Sequence, residues 1–309
     1  MNKSIVRIEK LSHRYSVQWA IRDINIDVTR KGIYGLLGAN GAGKSTIMNI
    51  MCGVLKQTEG EVFIKGINLQ QDAVNAKKKI GFLPQIPPVQ AELTVEEFLT
   101  YAAELRLMPK DVIPGAVEEV MERCSLTHFK KRLIKNLSGG YKQRVGIAQA
   151  IIHKPEFVIF DEPTNGLDPN QILEVRKLIK DIAKERTVIL STHILQEVQA
   201  LCDYIWMIND GQMIFSGPIQ EFDSYITPQC IIVSFGQLPS KEELSIISAI
   251  VDVQHLGGID YVLQYAGDPK QVISTIVQLS VEKGWQLLQI TEQKNSLENI
   301  FAELSKKRA

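Results

Sequence analysis

The stretch Gly38-Ala39-Asn40-Gly41-Ala42-Gly43-Lys44-Ser45-Thr46 fits the pattern G-x-x-x-x-G-K-[ST], and no other feature of the chain restricts its fold so tightly. Such a phosphate-binding loop needs a buried strand before it and a helix after it. Upstream, Gly32-Ile33-Tyr34-Gly35-Leu36-Leu37 is a short apolar run, as a buried parallel strand should be, and Thr46-Ile47-Met48-Asn49-Ile50-Met51 opens a helical pattern. The glycines let the backbone curl so that N–H groups from Gly38 to Thr46 point at phosphate oxygens, and the helix N-terminus adds a favourable dipole. In such a loop Lys44 neutralises the β- and γ-phosphates of a nucleotide, and the Ser45 hydroxyl ligates Mg²⁺.

The surrounding chain supplies the rest of an α/β domain. Residues 4–9 and 20–28 alternate apolar and polar, which predicts a half-exposed antiparallel sheet before the loop. Between them, residues 11–16 read as a polar turn holding His13 and Tyr15. Tyr15 has two readings on its own pattern, an aromatic face for an adenine ring or a surface tyrosine. Residues 60–66 and 79–85 read as strands beside the strand of the phosphate loop. From Thr94 to about Ile152 the signal is helical, opening on a capping box at Thr94-Val95-Glu96-Glu97. Apolar strands return at 154–162 and 187–191 around a helix at 171–184, implying a mostly parallel sheet with ligands at its carboxyl end. A hairpin is expected about Asn209-Asp210-Gly211.

Near residue 226 the pattern changes. The order βαββαβ over 230–291 predicts a small α+β domain, ferredoxin-like in arrangement, and a final helix is expected at 297–304. The expected division is therefore 1–225, with a helical insertion at about 90–152, and 226–309. With 309 residues there is ample chain for two cores. Lys plus Arg and Asp plus Glu both number 35, so no global field steers the chain to nucleic acid or anionic lipid. The four cysteines, Cys52, Cys124, Cys202 and Cys230, lie far apart and read as reduced thiols. Neither a signal peptide nor an apolar run near 18 residues is present, so a membrane role requires another chain to cross the bilayer.

Two further motifs carry chemistry. Asp161-Glu162 closes an apolar strand, an arrangement that elsewhere caps a helix or sits in a surface turn. Behind a phosphate loop it divides labour instead: Asp161 holds Mg²⁺, and Glu162 faces the γ-phosphate as general base. In Leu137-Ser138-Gly139-Gly140-Tyr141-Lys142-Gln143-Arg144, Ser138 is a plausible N-cap. The two glycines leave backbone N–H groups unobstructed, which makes a second anion site at a helix start. One loop already wraps a triphosphate, so the second site needs explanation.

Through these motifs residues 3–225 resemble the ATP-binding subunit of an ABC transporter, and LSGGYKQR resembles that family's signature. The resemblance implies the fold of a P-loop NTPase, ATP and Mg²⁺ as ligands, and an ATP-sandwich dimer, formed with a second copy or a related ATPase subunit. In it Ser138, Gly139 and Gly140 of one copy close over the nucleotide of the other. It also implies that Tyr15 stacks on adenine, that Gln85 touches Mg²⁺ or the attacking water, that 165–168 form the D-loop, and that His193 contacts the γ-phosphate. The expected partner is a separate integral membrane permease of the exporting kind, with this chain at the cytoplasmic face of the membrane. Departures are small: Tyr141 stands where the family often has Met, Gln or Glu, and residues 130–136 replace the segment typical of fused exporters. The run Thr164 to Pro169 and the extra C-terminal domain resemble subunits of multidrug, antibiotic or gliding-motility type systems. The alternative within the same fold is a soluble ABC ATPase acting on nucleic acid or ribosomes, which the neutral charge and single cassette disfavour.

Overall fold

A computed structural model describes residues 4–226 and 230–293. The chain divides into two compact units, Met1–Ile219 and Gln220–Ala309. In chain order the first runs β1 (Val6–Tyr15), β2 (Gln18–Val28), β3 (Ile33–Leu37), α1 (Lys44–Met51), β4 (Glu59–Ile64), β5 (Ile67–Asn68), α2 (Ala73–Lys77) and β6 (Ile80–Leu83). It continues through α3 (Val95–Leu105), α4 (Ile113–Arg123), α5 (Gly139–Ile151), β7 (Phe157–Asp161), α6 (Pro169–Ala183), β8 (Thr187–Thr192), α7 (Leu195–Leu201), β9 (Tyr204–Asn209) and β10 (Gln212–Pro218).

Two sheets share these strands. The order β10-β9-β3-β8-β7-β6 is parallel except for the antiparallel edge strand β10, and β2-β1-β4-β5 is antiparallel throughout. The three central strands β3, β7 and β8 are buried at every position, as strands covered on both faces must be. One core joins the sheets: Ile8, Ile24 and Val62 of the antiparallel sheet, Ile47, Met48 and Met51 of α1, and Leu36, Ile159 and Ile189 of the parallel sheet belong to a single cluster.

Three readings from sequence need correction. Neither 60–66 nor 79–85 lies beside the phosphate-loop strand: β4 pairs with β1 in the other sheet, β6 is the far edge next to β7, and the neighbours of β3 are β8 and β9. The half-exposed alternation of β4 fits a sheet covered on one face, which separates it from the fully buried β3. The polar turn at 11–16 is mostly strand. β1 continues to Tyr15 and places His13 in the interior, 7% exposed. Register shifts between Ile8 and Arg14, with positive φ at Lys10 and Asp23, break the alternation that would have revealed it.

The helical insertion begins at the expected capping box. Thr94 Oγ1 accepts from the Glu97 N–H at 3.2 Å, and Glu97 Oε2 accepts from the Thr94 N–H at 2.8 Å. The hairpin between β9 and β10 turns on Asp210 and Gly211, both at positive φ (46° and 73°), the backbone that a two-residue type I′ turn demands.

Helix α8 (Ile219–Ile226) begins on the last residue of the first unit, and the second unit continues through β11 (Cys230–Phe235), α9 (Lys241–Ser245), β12 (Ile250–Gly257), β13 (Asp260–Tyr265), α10 (Pro269–Lys283) and β14 (Leu287–Gln293). The strands form an antiparallel sheet in the order β12-β13-β11-β14, with Ile231, Val233, Phe235, Leu263, Val272 and Ile276 in its own core. Helix α9 has five residues where ten were expected, although its Ser240–Glu243 capping box is complete. The helix expected at 297–304 lies outside the described residues.

Candidate functional site

The parallel sheet brings four functional segments to one edge. Leu37 of β3 is level with Thr192 of β8, Ser191 with Asp161 of β7, and Phe160 with Leu83 of β6. Gly38, His193, Glu162 and the Pro84-Gln85 turn therefore leave the sheet at the same height, at the strands' carboxyl ends, where open α/β sheets bind ligands. A cleft of about 770 Å³ opens there. Tyr15, Asn40, Gly41, Gly43, Lys44, Ser45, Thr46, Gln85, Glu162 and His193 line it, together with Gln18, Trp19, Ala20, Asn165, Asp210 and Gly211.

The loop is shaped by close approaches that only glycine permits. A Cβ on Gly38 would stand 2.6 Å from the Ile208 carbonyl oxygen. Gly43 has φ 108°, and its Cβ would stand 2.9 Å from the Ala20 carbonyl. The β9–β10 turn is pinned to the loop by the Gly211 N–H donating to the Ala42 carbonyl at 3.1 Å. Helix α1 starts on Gly43 with no side-chain cap and no acidic residue in its first turn, leaving its leading N–H groups to a ligand.

Lys44 is 5% exposed. Its ammonium donates to the Gly38 carbonyl at 2.9 Å and the Ala39 carbonyl at 3.1 Å, and lies 3.7 Å from Glu162 Oε1. Burial pulls its pKa down, against the opposing fields of Glu162 and Asp161.

Glu162 is the hub. Its Oε1 is 3.2 Å from His193 Nδ1 and its Oε2 accepts from Gln85 Nε2 at 3.3 Å. Its backbone sits at φ 47°, uncommon for a residue with a side chain, and its N–H donates to Ser191 Oγ at 2.9 Å. The Ser191 hydroxyl in turn donates to Asp161 Oδ1, so one serine fixes both acids. Tyr15 is 54% exposed and rests edge-on against His13 at 4.7 Å, leaving a ring face open to the cleft.

The signature segment is elsewhere. Ser138, Gly139 and Gly140 do not line the cleft. Ser138 caps α5 without a side-chain bond to it, and Ser138 and Gly139 are exposed. Gly140 is buried, and a Cβ there would meet Gln171 Cδ at 2.5 Å. From the same helix, buried Gln143 donates to the Pro163 carbonyl at 2.8 Å, immediately after Glu162. Gly38 and Ala42 shape the loop from behind, and Asp161 stands one residue deeper than Glu162, 3% exposed.

Among the described residues no group of three or more His, Cys, Asp or Glu could hold a metal alone. Ser45 and Asp161 fit Mg²⁺ nonetheless, because that ion takes one or two protein ligands and completes its shell with phosphate oxygens and water. Trp19, Gln18, Asp210 and Gly211 were not anticipated as site residues. They arrive from β2 and a hairpin turn, and the only signal in the sequence was the turn itself.

Residues 21–165 match the family model described as ABC transporter. The chain is 34% identical to the bacitracin transport ATP-binding protein BcrA of Bacillus licheniformis, with 97% of each chain covered. It is 29% identical to the linearmycin resistance ATP-binding protein LnrL of Bacillus subtilis, covering 97% of this chain and 98% of the relative. Among solved structures, cbiO1 of Clostridium perfringens, part of the ABC transporter complex cbiONQ, matches with a TM-score of 0.66 at 30% identity, over 72% of this chain and 91% of its own. A dimeric ATP-binding cassette in a post-hydrolysis state with ADP and Pi matches with a TM-score of 0.63 at 25% identity, over 69% of this chain and 98% of its own.

Proposed function

Because the chain belongs to the family of ABC transporter ATP-binding proteins, whose characteristic activity is ATP hydrolysis, we propose that it powers a separate membrane permease by closing as a dimer over two ATP molecules. The observation that carries this reading is the Glu162 carboxylate, held between Lys44, Gln85 and His193 at the mouth of the phosphate loop.

In the proposed mechanism the nucleotide enters with adenine against Tyr15 and its phosphates in the backbone cradle of Gly38 to Thr46. The phosphates compete with the Gly38 and Ala39 carbonyls for the Lys44 ammonium. A charged acceptor makes the stronger hydrogen bond, so Lys44 turns to the β- and γ-phosphates. Ser45 and Asp161 would hold Mg²⁺, which when bound would supply charge neutralisation at the phosphates. Glu162 takes a proton from the attacking water, Gln85 orients that water, and His193 holds the Glu162 carboxylate and reaches the γ-phosphate.

The exposed Ser138-Gly139 start of α5 presents free N–H groups to a second molecule's phosphates, so each cleft is completed by the other copy. ATP favours the closed dimer because it touches both halves only there, and hydrolysis releases it. Among the described residues no helix is long and apolar enough to cross a membrane. The full-length similarity to the bacitracin transport and linearmycin resistance proteins supports antibiotic or drug export as the driven process.

The test is Glu162→Gln. Loss of the general base should lower hydrolysis by roughly 10²- to 10⁴-fold while ATP binding persists. Hydrolysis at the original rate would refute the assignment of Glu162.

A further inference from the structure

Glu197 is a carboxylate 1% exposed, on α7, four residues after His193, and it does not line the cleft. A buried charge is retained only with full hydrogen bonding, and its partners are specific. The Thr164 hydroxyl donates to Oε1, and the Thr192 hydroxyl donates to Oε2 at 2.7 Å. The Arg176 guanidinium of α6 lies 3.8 Å from Oε1. Thr192 Oγ1 also accepts from the Ile194 N–H at 3.0 Å.

The residues on both sides of His193 are thus fixed through one hydroxyl. The same carboxylate holds Thr164, two residues beyond Glu162. Thr164 and Thr192 are 3% and 2% exposed, so water does not replace either bond. An apolar side chain would fill this space without the cost of burying a charge. What the acid adds is a tie between two loops whose neighbouring residues, His193 and Glu162, meet at 3.2 Å.

We propose that Glu197 is a positioning residue for ATP hydrolysis: clamped by Thr164 and Thr192, it sets His193 against Glu162. It acts through those residues and makes no contact with nucleotide. The inference rests on the reading of His193 and Glu162 as groups that act in hydrolysis.

The experiment measures steady-state ATP hydrolysis by the full chain. Thr192→Val keeps the side-chain shape and loses the hydroxyl; Thr192→Ser keeps the hydroxyl; Glu197→Gln keeps the volume and loses the charge. Thr192→Val and Glu197→Gln should each lower kcat about tenfold or more, the scale of a hydrogen bond to a charged group. The KM for ATP should stay within about twofold, because nucleotide contacts are untouched. Thr192→Ser should restore kcat, and in a His193→Ala background Thr192→Val should cost nothing further. Wild-type kcat in Thr192→Val, an equal loss in Thr192→Ser, or a loss confined to KM would each overturn the proposal. If Glu197→Gln fails to fold, the Thr192 pair decides alone. His193→Ala with wild-type kcat would overturn the reading of His193 and the clamp with it; a loss there beside full activity in Thr192→Val would overturn the clamp only.

Discussion

Gly139→Val separates the folding of the signature segment from its work in a dimer. Gly139 is the first residue of α5, is not in the left-handed region, and an added Cβ meets no atom within 4 Å. Valine in a helix costs about 0.4 kcal/mol less than glycine, so the unfolding temperature of a unit this size should rise by about 1 °C. The dimer is another matter. A phosphate oxygen accepting from the Gly139 N–H would sit about 2.9 Å from nitrogen, whereas carbon holds an oxygen off at about 3.3–3.6 Å. The valine methyls stand on the exposed surface where that oxygen must approach. The assay is size-exclusion chromatography with ATP in a Glu162→Gln background, chosen because the proposed loss of the general base would spare nucleotide during the run, alongside ATP binding by the monomer. The expected result is normal binding, an unchanged fold and no dimer. Dimerisation at the parent level would refute the placing of phosphates at Gly139, and a fall of more than about 5 °C would refute the stability reasoning. Gly140→Val is the contrast: its Cβ would stand 2.5 Å from Gln171 Cδ and 2.6 Å from Oε1, so Gln171 must move before any partner is involved.

Gln143→Leu removes the 2.8 Å bond to the Pro163 carbonyl and leaves that acceptor unmatched; a loss of about 2 kcal/mol, hence roughly 4–8 °C in unfolding temperature, is expected by scanning calorimetry. Burial, assisted by Arg106, pulls the His153 pKa down to about 4, below the ~6.5 of an unfolded chain. The unfolded state therefore binds more protons between those values, so this contribution is complete above about pH 6.5 and is lost as pH falls toward 4. Urea unfolding at two pH values should show His153→Gln losing up to about 3 kcal/mol less than the parent across that window. Trp19 lines the cleft while Trp206 and Trp285 are buried at 2% and 5%; ATP should change tryptophan emission, and Trp19→Phe should abolish the change.

The parts of the site that were legible in the sequence are those where one short run carries its own chemistry. The phosphate loop, Asp161-Glu162 and His193 each end an apolar strand, and strands of a parallel sheet deliver their ends to one edge. The capping box at Thr94 was legible because its two bonds are local. Trp19 and Asp210 were not, because they reach the cleft by pairings between distant segments: the Arg22 N–H donates to the Gly211 carbonyl at 2.9 Å, and Gly211 to Ala42. Tyr15 was found while its strand was missed, since bulges at Lys10 and Asp23 erased the period that marks a strand. Likewise β4 and β6 were recognised as strands and misplaced, because period reveals an element and only long-range pairing reveals its neighbour.

The loop after Glu162 is held from two directions, and this bears on how two clefts in a dimer would communicate. From α5, Gln143 grips the carbonyl of Pro163; from α7, Glu197 grips the hydroxyl of Thr164. Both bonds are buried, so both persist only while each helix keeps its place. In the proposed dimer the end of α5 that carries Ser138 and Gly139 would serve the nucleotide of the other copy, whereas the loop it grips would carry the proposed general base, Glu162, for its own. A shift of α5 on closing over the partner's phosphates must therefore stretch the Gln143 bond or carry Pro163, and with it the backbone of Glu162, already at φ 47°. Packed interiors switch between discrete arrangements and resist gradual deformation. In such a dimer, engagement of the signature segment in one cleft and alignment of Glu162 in the other would then be a single event. Gln143→Leu should accordingly leave ATP binding by the monomer intact while weakening the dependence of hydrolysis on protein concentration, and an unaltered dependence would show that the two clefts act separately.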